Sequence, residues 1–286
     1  MAALAALRID GPPPTPRPYG IVTTPGTIVP EGDGHWRAGV VIDSYPNDLP
    51  ESHNPCAVGT MRVKAEGTTP PQPEFSSFTV VYPFSCSGIG LGNEAGAERA
   101  RNRVRQAFIA TEGWDVEQEL AFGISDETDR PHFTSLGLAS YPAGGVNTAV
   151  GPREALALLE NVIGDTAHDG MIHVDSGTFI AMAAWNLIDT DGTRAYTVRG
   201  TTVIIGDGYK PASGQQPGSA LTADESYAWA TGPVRLTRDE VEILGPTAQV
   251  LDTETNRATF RAERNYVAYF DTALVAGVRV DRSATP

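Results

Sequence analysis

The chain has 286 residues, enough for one large domain or two, and 41% are hydrophobic, while its 30 Gly and 22 Pro are scattered without a period, which excludes collagen-like and wholly disordered chains. A formal charge of −14 at pH 7 works against nucleic-acid binding by counterion release, which needs clustered Lys and Arg, and suits a soluble surface that does not adhere to DNA packed beside it. No window approaches the roughly 20 apolar residues that cross a bilayer, so no membrane association is expected.

Residues 1–34 include DGPPPTPRPYGIVTTPGTIVP, where repeated proline removes backbone donors and forbids helix. This arm reads either as an unstructured tail or as a strap laid on a partner chain. Three strand-like runs follow, WRAGVVI (36–42), VGTMRVKA (58–65) and FSSFTVVYPF (75–84), with Pro46, Pro50 and Pro55 in the first link. They predict a long irregular β-hairpin over 35–86, too poor in apolar residues to bury both faces and so dependent on something to lean on. Cys56 and Cys86 form no CxxC motif and are read as free thiols of a reducing compartment, a disulfide between them being the alternative.

The segment 93–122, NEAGAERARNRVRQAFIATEGWDVEQELAF, has the longest proline-free helical spacing. Ala97, Ala100, Val104, Ala107, Phe108 and Thr111 recur on one face, with Arg99, Arg101, Arg103 and Arg105 largely opposite. The spacing predicts a long helix opened by Asn93 and Glu94 and ended by Gly113, then a short helix opened by Asp115 with Gln118. After a polar link at 124–145, PREALALLENVI (152–163) is a clean amphipathic helix with proline in its first turn. MIHV (171–174) reads as a strand. A helix capped by Ser176 or Thr178 is expected to run to Ile188, and strands at 196–198 and 203–205 pair around Gly200. This alternation is an α/β domain. The last quarter reads as strands at 226–231, 234–236, 241–244, 249–251, 258–264, 266–270 and 274–280, with a hairpin turn at Asp252–Asn256.

Signals for chemistry are sparse. SGIGLGNEAG (87–96) has the strand-to-helix context of a dinucleotide fingerprint, and Gly88 and Gly90 fit. Asn93 stands at the third glycine position, however, and Glu94 and Glu98 face the phosphate site, so the segment is read as a hinge. VDSGT (174–178) resembles the catalytic loop of aspartic proteases, with Asp175 as the carboxylate and IIGD (204–207) as its support. A single D-S-G demands a homodimer, and the helix-like FIAMAAWNLI that follows departs from that fold. His35, His53, His132, His168 and His173 lack metal-ligand spacing, there is no G-x-S-x-G elbow, and Asp189–Gly192 reads as a turn rather than a calcium loop. No catalytic, cofactor or metal residue is assigned.

The order of elements, namely arm, long hairpin, long helix, α/β domain and β-rich return, resembles the HK97-type major capsid proteins of tailed bacteriophages. The segments GMIHVDSGTFIAMAAWNLI, TRAYTVRGTTVIIGDGY, YAWATGPVRL and ATFRAERNYVAYFDTALVAGVRVD look like capsid proteins from phages of actinobacteria. The resemblance implies an α+β fold with an N-terminal arm (1–34), an extended hairpin or E-loop (35–86), a peripheral spine helix (87–123), an axial α/β domain (124–236) and peripheral strands with the C-terminus (237–286). It implies a non-enzymatic shell around double-stranded DNA, built from pentamers and hexamers of the chain, made in the host cytoplasm and residing in the virion. Scaffolding, portal and decoration proteins are further implied partners, with DNA touched only non-specifically and no cofactor. Some members of that family join subunits by a Lys–Asn isopeptide bond, for which Lys64 with Asn256 or Asn265 are the candidates here. Arg101 and Arg105 on the spine are read as partners for acidic residues of adjacent strands or subunits, and so as candidate inter-subunit contacts. The competing readings are an encapsulin-like compartment shell, a phage tail or decoration protein, and an aspartic-protease-like enzyme using Asp175.

Overall fold

A computed structural model describes residues 12–29, 35–42, 74–87, 94–123, 131–135, 139–166, 169–212, 214–245, 251–252 and 257–286. In chain order the elements are β1 (Val40–Val41), β2 (Glu74–Phe75), β3 (Phe78–Ser87), α1 (Glu94–Phe122), β4 (Ala149–Val150), α2 (Pro152–Asp165), β5 (Met171–Val174), α3 (Ser176–Ala184), β6 (Ile188–Thr190), β7 (Ala195–Thr197), β8 (Thr202–Ile205), β9 (Glu225–Thr231), β10 (Arg235–Arg238), β11 (Glu242–Leu244), β12 (Leu251–Asp252), β13 (Arg257–Tyr269) and β14 (Val275–Asp281). The described residues divide into two compact units. One holds 12–16, 81–111 and 240–264, and the other holds 17–80, 112–239 and 265–286.

The larger unit is built on a seven-stranded sheet in the order β4-β14-β9-β5-β8-β7-β6. The β4–β14 and β5–β8 pairs are parallel and the rest antiparallel. Period-two alternation sorts its faces. Ile172 and Val174 of β5, Ala228 and Ala230 of β9, and Ala276, Val278 and Val280 of β14 share one aliphatic cluster with Ala155, Leu156, Leu159 and Ile163 of α2 and Met182 of α3. At about 1.5–3 kcal/mol per fully buried large aliphatic side chain, this helix-on-sheet layer is the unit's main source of stability. The intervening residues His173 and Trp229 meet Phe133 and Tyr209 on the other side.

The β-rich return differs from expectation at its end. β14, grouped by its sequence position with the strands after residue 237, pairs along its whole length with β9 and by its last residues with β4. Its buried run from Val275 to Val280 suits a strand covered on both faces better than one at a margin. Likewise the runs 258–264 and 266–270 form one strand, β13, because Asn265 continues the extended backbone while the pairing partner changes from β11 to β10. The hairpin expected around Asp252–Asn256 is present as the β12–β13 pair, its turn 253–256 lying outside the described residues.

Helix α1 corrects another expectation: it is continuous from Glu94 to Phe122, without a stop at Gly113. Val22 packs 3.2 Å from where a Cβ on Gly113 would stand, so this glycine makes room for a neighbouring segment inside the helix. The real terminator is Gly123, at φ +62, beyond which Phe133 and Thr134 donate their N–H groups to the carbonyls of Leu120 and Ala121. In the smaller unit Ala100, Val104 and Phe108 form the buried stripe of α1, and β13 contributes Ala258, Phe260 and Ala262. The Arg264 guanidinium lies 5.8 Å over the Phe108 ring.

Of the expected long hairpin only the base is described, where β1 pairs antiparallel with β2. Residues 43–73, including the run at 58–65 and Cys56, lie outside the described residues, and His35–Ala38 forms a 3-10 turn rather than strand because the chain turns there into Gly39 at φ +111. The arm is only partly an arm. Residues 17–29 are a strap on their own domain, with Ile21, Thr24 and Thr27 buried and Ile28 bridged to Leu236.

Candidate functional site

Asp175, the residue singled out for acid–base chemistry, ends β5 and caps α3. Its Oδ1 accepts the Thr178 N–H at 2.7 Å, Oδ2 accepts the Ser226 hydroxyl, and the Arg282 guanidinium lies 3.5 Å from Oδ1. The side chain is 3% exposed. A carboxylate committed to a helix N-terminus, a hydroxyl and a guanidinium is a structural tie between β5, β9 and the C-terminal segment, and among the described residues no second carboxylate faces it as a dyad demands. The cap expected at Ser176 or Thr178 is thus supplied one position earlier. The helix also stops at Ala184 rather than Ile188, since Asn186 takes a left-handed conformation at φ +53.

Sequence reasoning missed the buried acidic groups of α1. Glu112 accepts the Tyr266 hydroxyl and the Arg238 guanidinium, the latter at 3.0 Å, so a paired charge fixes α1 against β10 and β13 within the larger unit. Glu117 is 4% exposed and has no such ion pair among the described residues. Its two oxygens accept the backbone N–H groups of Gly208 at 3.1 Å and Ile21 at 3.4 Å. Burial pushes its carboxyl up to about 8, outweighing those two donors and the more distant Arg17. The neighbouring Gln118 amide donates to the carbonyls of Gly208 and Lys210 at 2.6 and 3.0 Å. The signal in the sequence was the pair Gly206 and Gly208, which clears space for the Glu117 side chain, but nothing local links them to it.

Arg101 and Arg105 both lie on the exposed side of α1, and Arg101 pairs with Glu98 at 3.5 Å. Asn265 is engaged, receiving the Thr79 hydroxyl at 2.6 Å and donating to Asp239 at 3.1 Å. Lys64, Asn256 and the glycine-rich turn at 88–92 lie outside the described residues. Among the described residues no group of His, Cys, Asp and Glu is placed to hold a metal ion, and no helix is long and apolar enough to cross a membrane. An open cleft of about 390 Å³ lies at the start of α2, lined by Pro152, Arg153, Ala157, Trp185 and Ala284. Its walls are chiefly apolar, with Glu154 and Thr285 also on the lining.

The strap, hairpin base, long helix, helix-covered mixed sheet and long return strand define an α+β fold of the HK97 capsid type, as the sequence led one to expect. Solved structures share it over nearly the full chain. A chain of the capsid of an empty GTA particle aligns at a TM-score of 0.52 with 13% identity, covering 98% of this chain and 95% of that one. A chain of Mycobacterium phage Ogopogo aligns at 0.54 with 14% identity over 98% and 100%, and one of Gordonia phage Cozz at 0.51 with 11% identity over 98% and 91%. At these identities the likeness is one of fold. No protein-family model matches the sequence, and no curated protein matches it.

Proposed function

We propose that this chain is a major capsid protein, many copies of which close into an icosahedral shell around phage double-stranded DNA. The observation that carries the reading is the correspondence of fold from end to end with a chain of a GTA capsid, rather than over one shared motif. In this reading its partners are chiefly copies of itself in pentamers and hexamers, joined by scaffolding, portal and decoration proteins, and it resides in the virion after synthesis in the host cytoplasm. The role is structural rather than enzymatic, in keeping with Asp175 acting as a cap. Residues 1–34 serve as the arm, 35–86 as the E-loop, 87–123 as the spine and 124–236 together with β14 as the axial domain, the earlier strands of 237–286 forming the peripheral return. A hairpin too poor in apolar residues to bury itself gains stability by lying on a neighbouring subunit, so assembly completes folding.

The test is particle formation. The chain expressed alone or with the proteins encoded beside it should give closed megadalton particles under negative stain; monomers or small oligomers in both settings reject the reading. Particles filled with protein cargo instead of DNA would favour an encapsulin-like compartment. Denaturing electrophoresis of the same particles decides the cross-link: a ladder supports Lys64 with Asn256 or Asn265, and a lone monomer band removes them.

A further inference from the structure

We propose that Glu117 is a proton-operated latch that holds the strap 17–29 on the larger unit, closed while the carboxyl is protonated and loosened when it ionises. The ends of the strap are held by backbone pairing: Ile205 N–H donates to the Tyr19 carbonyl at 2.8 Å, Leu236 N–H to that of Thr27 at 2.8 Å, and Val29 N–H to that of Leu236 at 2.9 Å. The middle is held differently. Ile21, fully buried, donates its N–H to Glu117, and Gly20 lies so close to that carboxyl that an added Cβ would stand 3.3 Å from Oε1. On the opposite side Gly206 and Gly208 form the other wall. A side chain on Gly206 would collide with the Glu117 carboxyl, and one on Gly208 with its Cβ and with the Trp114 carbonyl. The strap is therefore the lid of a slot that holds this side chain.

The charged and titratable groups that bear on Glu117 leave its charge poorly compensated. From the strap, Arg17 is 66% exposed and is engaged with Asp207 of a second 3-10 turn, Asp207–Tyr209. From the same turn, the fully buried Tyr209 points its hydroxyl at His173, and burial first, with any charge on Glu117 second, keeps that phenol protonated. Lifting the strap admits water to the carboxyl and restores its ordinary value near 4.5, against about 8 when closed. The sign follows from linkage. The closed state binds the proton more tightly, so opening is least at acid pH, grows roughly tenfold per pH unit through the interval between the two values, and levels off above the higher one. This behaviour belongs to the single chain and does not depend on the shell-forming reading.

Hydrogen–deuterium exchange of the full-length protein, corrected for intrinsic rates, tests it at about pH 5.5, 7.5 and 9. Opening measured at the Ile21, Thr23 and Thr24 amides should rise about 70-fold from the first condition to the second and only several-fold from the second to the third, while β9 and β14 keep their protection. Glu117→Gln cannot ionise and should give strap exchange that is flat across the series, whatever its absolute level. The proposal is overturned by a wild-type strap indifferent to pH, by a loss of protection shared with β9 and β14, or by a Gln variant that titrates like wild type. Should that variant not fold, the wild-type series decides alone.

Discussion

The imidazole Nδ1 of His173 accepts a hydrogen bond from the hydroxyl of Tyr209, 3.0 Å away in the sealed interior of the larger unit. The direction follows from the far side of the ring. Thr231 gives its own proton to the Gly232 carbonyl at 2.8 Å, so toward Nε2, at 2.9 Å, it acts as acceptor and Nε2 carries the imidazole hydrogen. A second proton on Nδ1 would face a donor in a buried site, and burial lowers this histidine to about 3.

The consequence is a stability that falls with acid. A histidine depressed on folding contributes fully above its ordinary value of 6.5 and loses about 1.4 kcal/mol per pH unit below it, until the folded value near 3 is reached. Glu117 has the opposite slope between about 4.5 and 8, which flattens the wild-type profile where the two ranges overlap. His173→Phe keeps the packing but leaves the buried Tyr209 hydroxyl without its acceptor, so it should be about 1–3 kcal/mol less stable at neutral pH. The gap in urea midpoint between wild type and the variant should then narrow from pH 6 to 4, because only wild type carries the His173 loss. Parallel profiles for the two proteins would show that His173 does not titrate in this way.

Asp175 offers a second test, because capping and catalysis predict different losses. Asp175→Ala removes the cap of α3 and leaves the Ser226 hydroxyl without its acceptor, at a cost of about 2–4 kcal/mol in urea denaturation. Asp175→Asn keeps one oxygen for the Thr178 N–H and should cost about 1–2 kcal/mol. A catalytic carboxylate would behave otherwise, with the Asn variant folding as wild type while a hydrolytic activity disappeared.

Local chemistry was legible where it depended on neighbours in sequence. Pro152 with the apolar spacing behind it marks α2 nearly to the residue, and β-rich runs bounded by turn signals mark β9 and most of β14. Gly113 misled because a helical glycine signals a stop unless something needs its space, and Val22 of the strap does, 91 positions away (113 − 22). Strand order is equally non-local: nothing in VAGVRVD says that it lies between β4 and β9. Glu117 was illegible for the same reason, since its slot is assembled from Gly20, Ile21, Gly206 and Gly208. Asp175 shows the intermediate case, a motif visible in sequence whose role is set by Ser226 and Arg282, brought in from elsewhere in the chain.

The exposed arginines of α1 bear on assembly. Charge reversal by Arg101→Glu with Arg105→Glu breaks one surface ion pair among the described residues and sets a new carboxylate three residues from Glu98, which should cost the isolated fold well under about 1 kcal/mol. Thermal unfolding of the unassembled double variant should therefore stay close to wild type. If these side chains meet acidic residues of adjacent subunits, reversal puts like charges together at every copy of the contact. A loss of about 1.4 kcal/mol per contact is already tenfold in an association constant, so the yield of sedimenting particles should drop by about that factor or more. Raising salt should partly restore it, because screening weakens repulsion at an exposed rim. Wild-type particle yield from the double variant would remove the arginine face from the assembly contacts, while leaving the shell reading to be judged by the particles themselves.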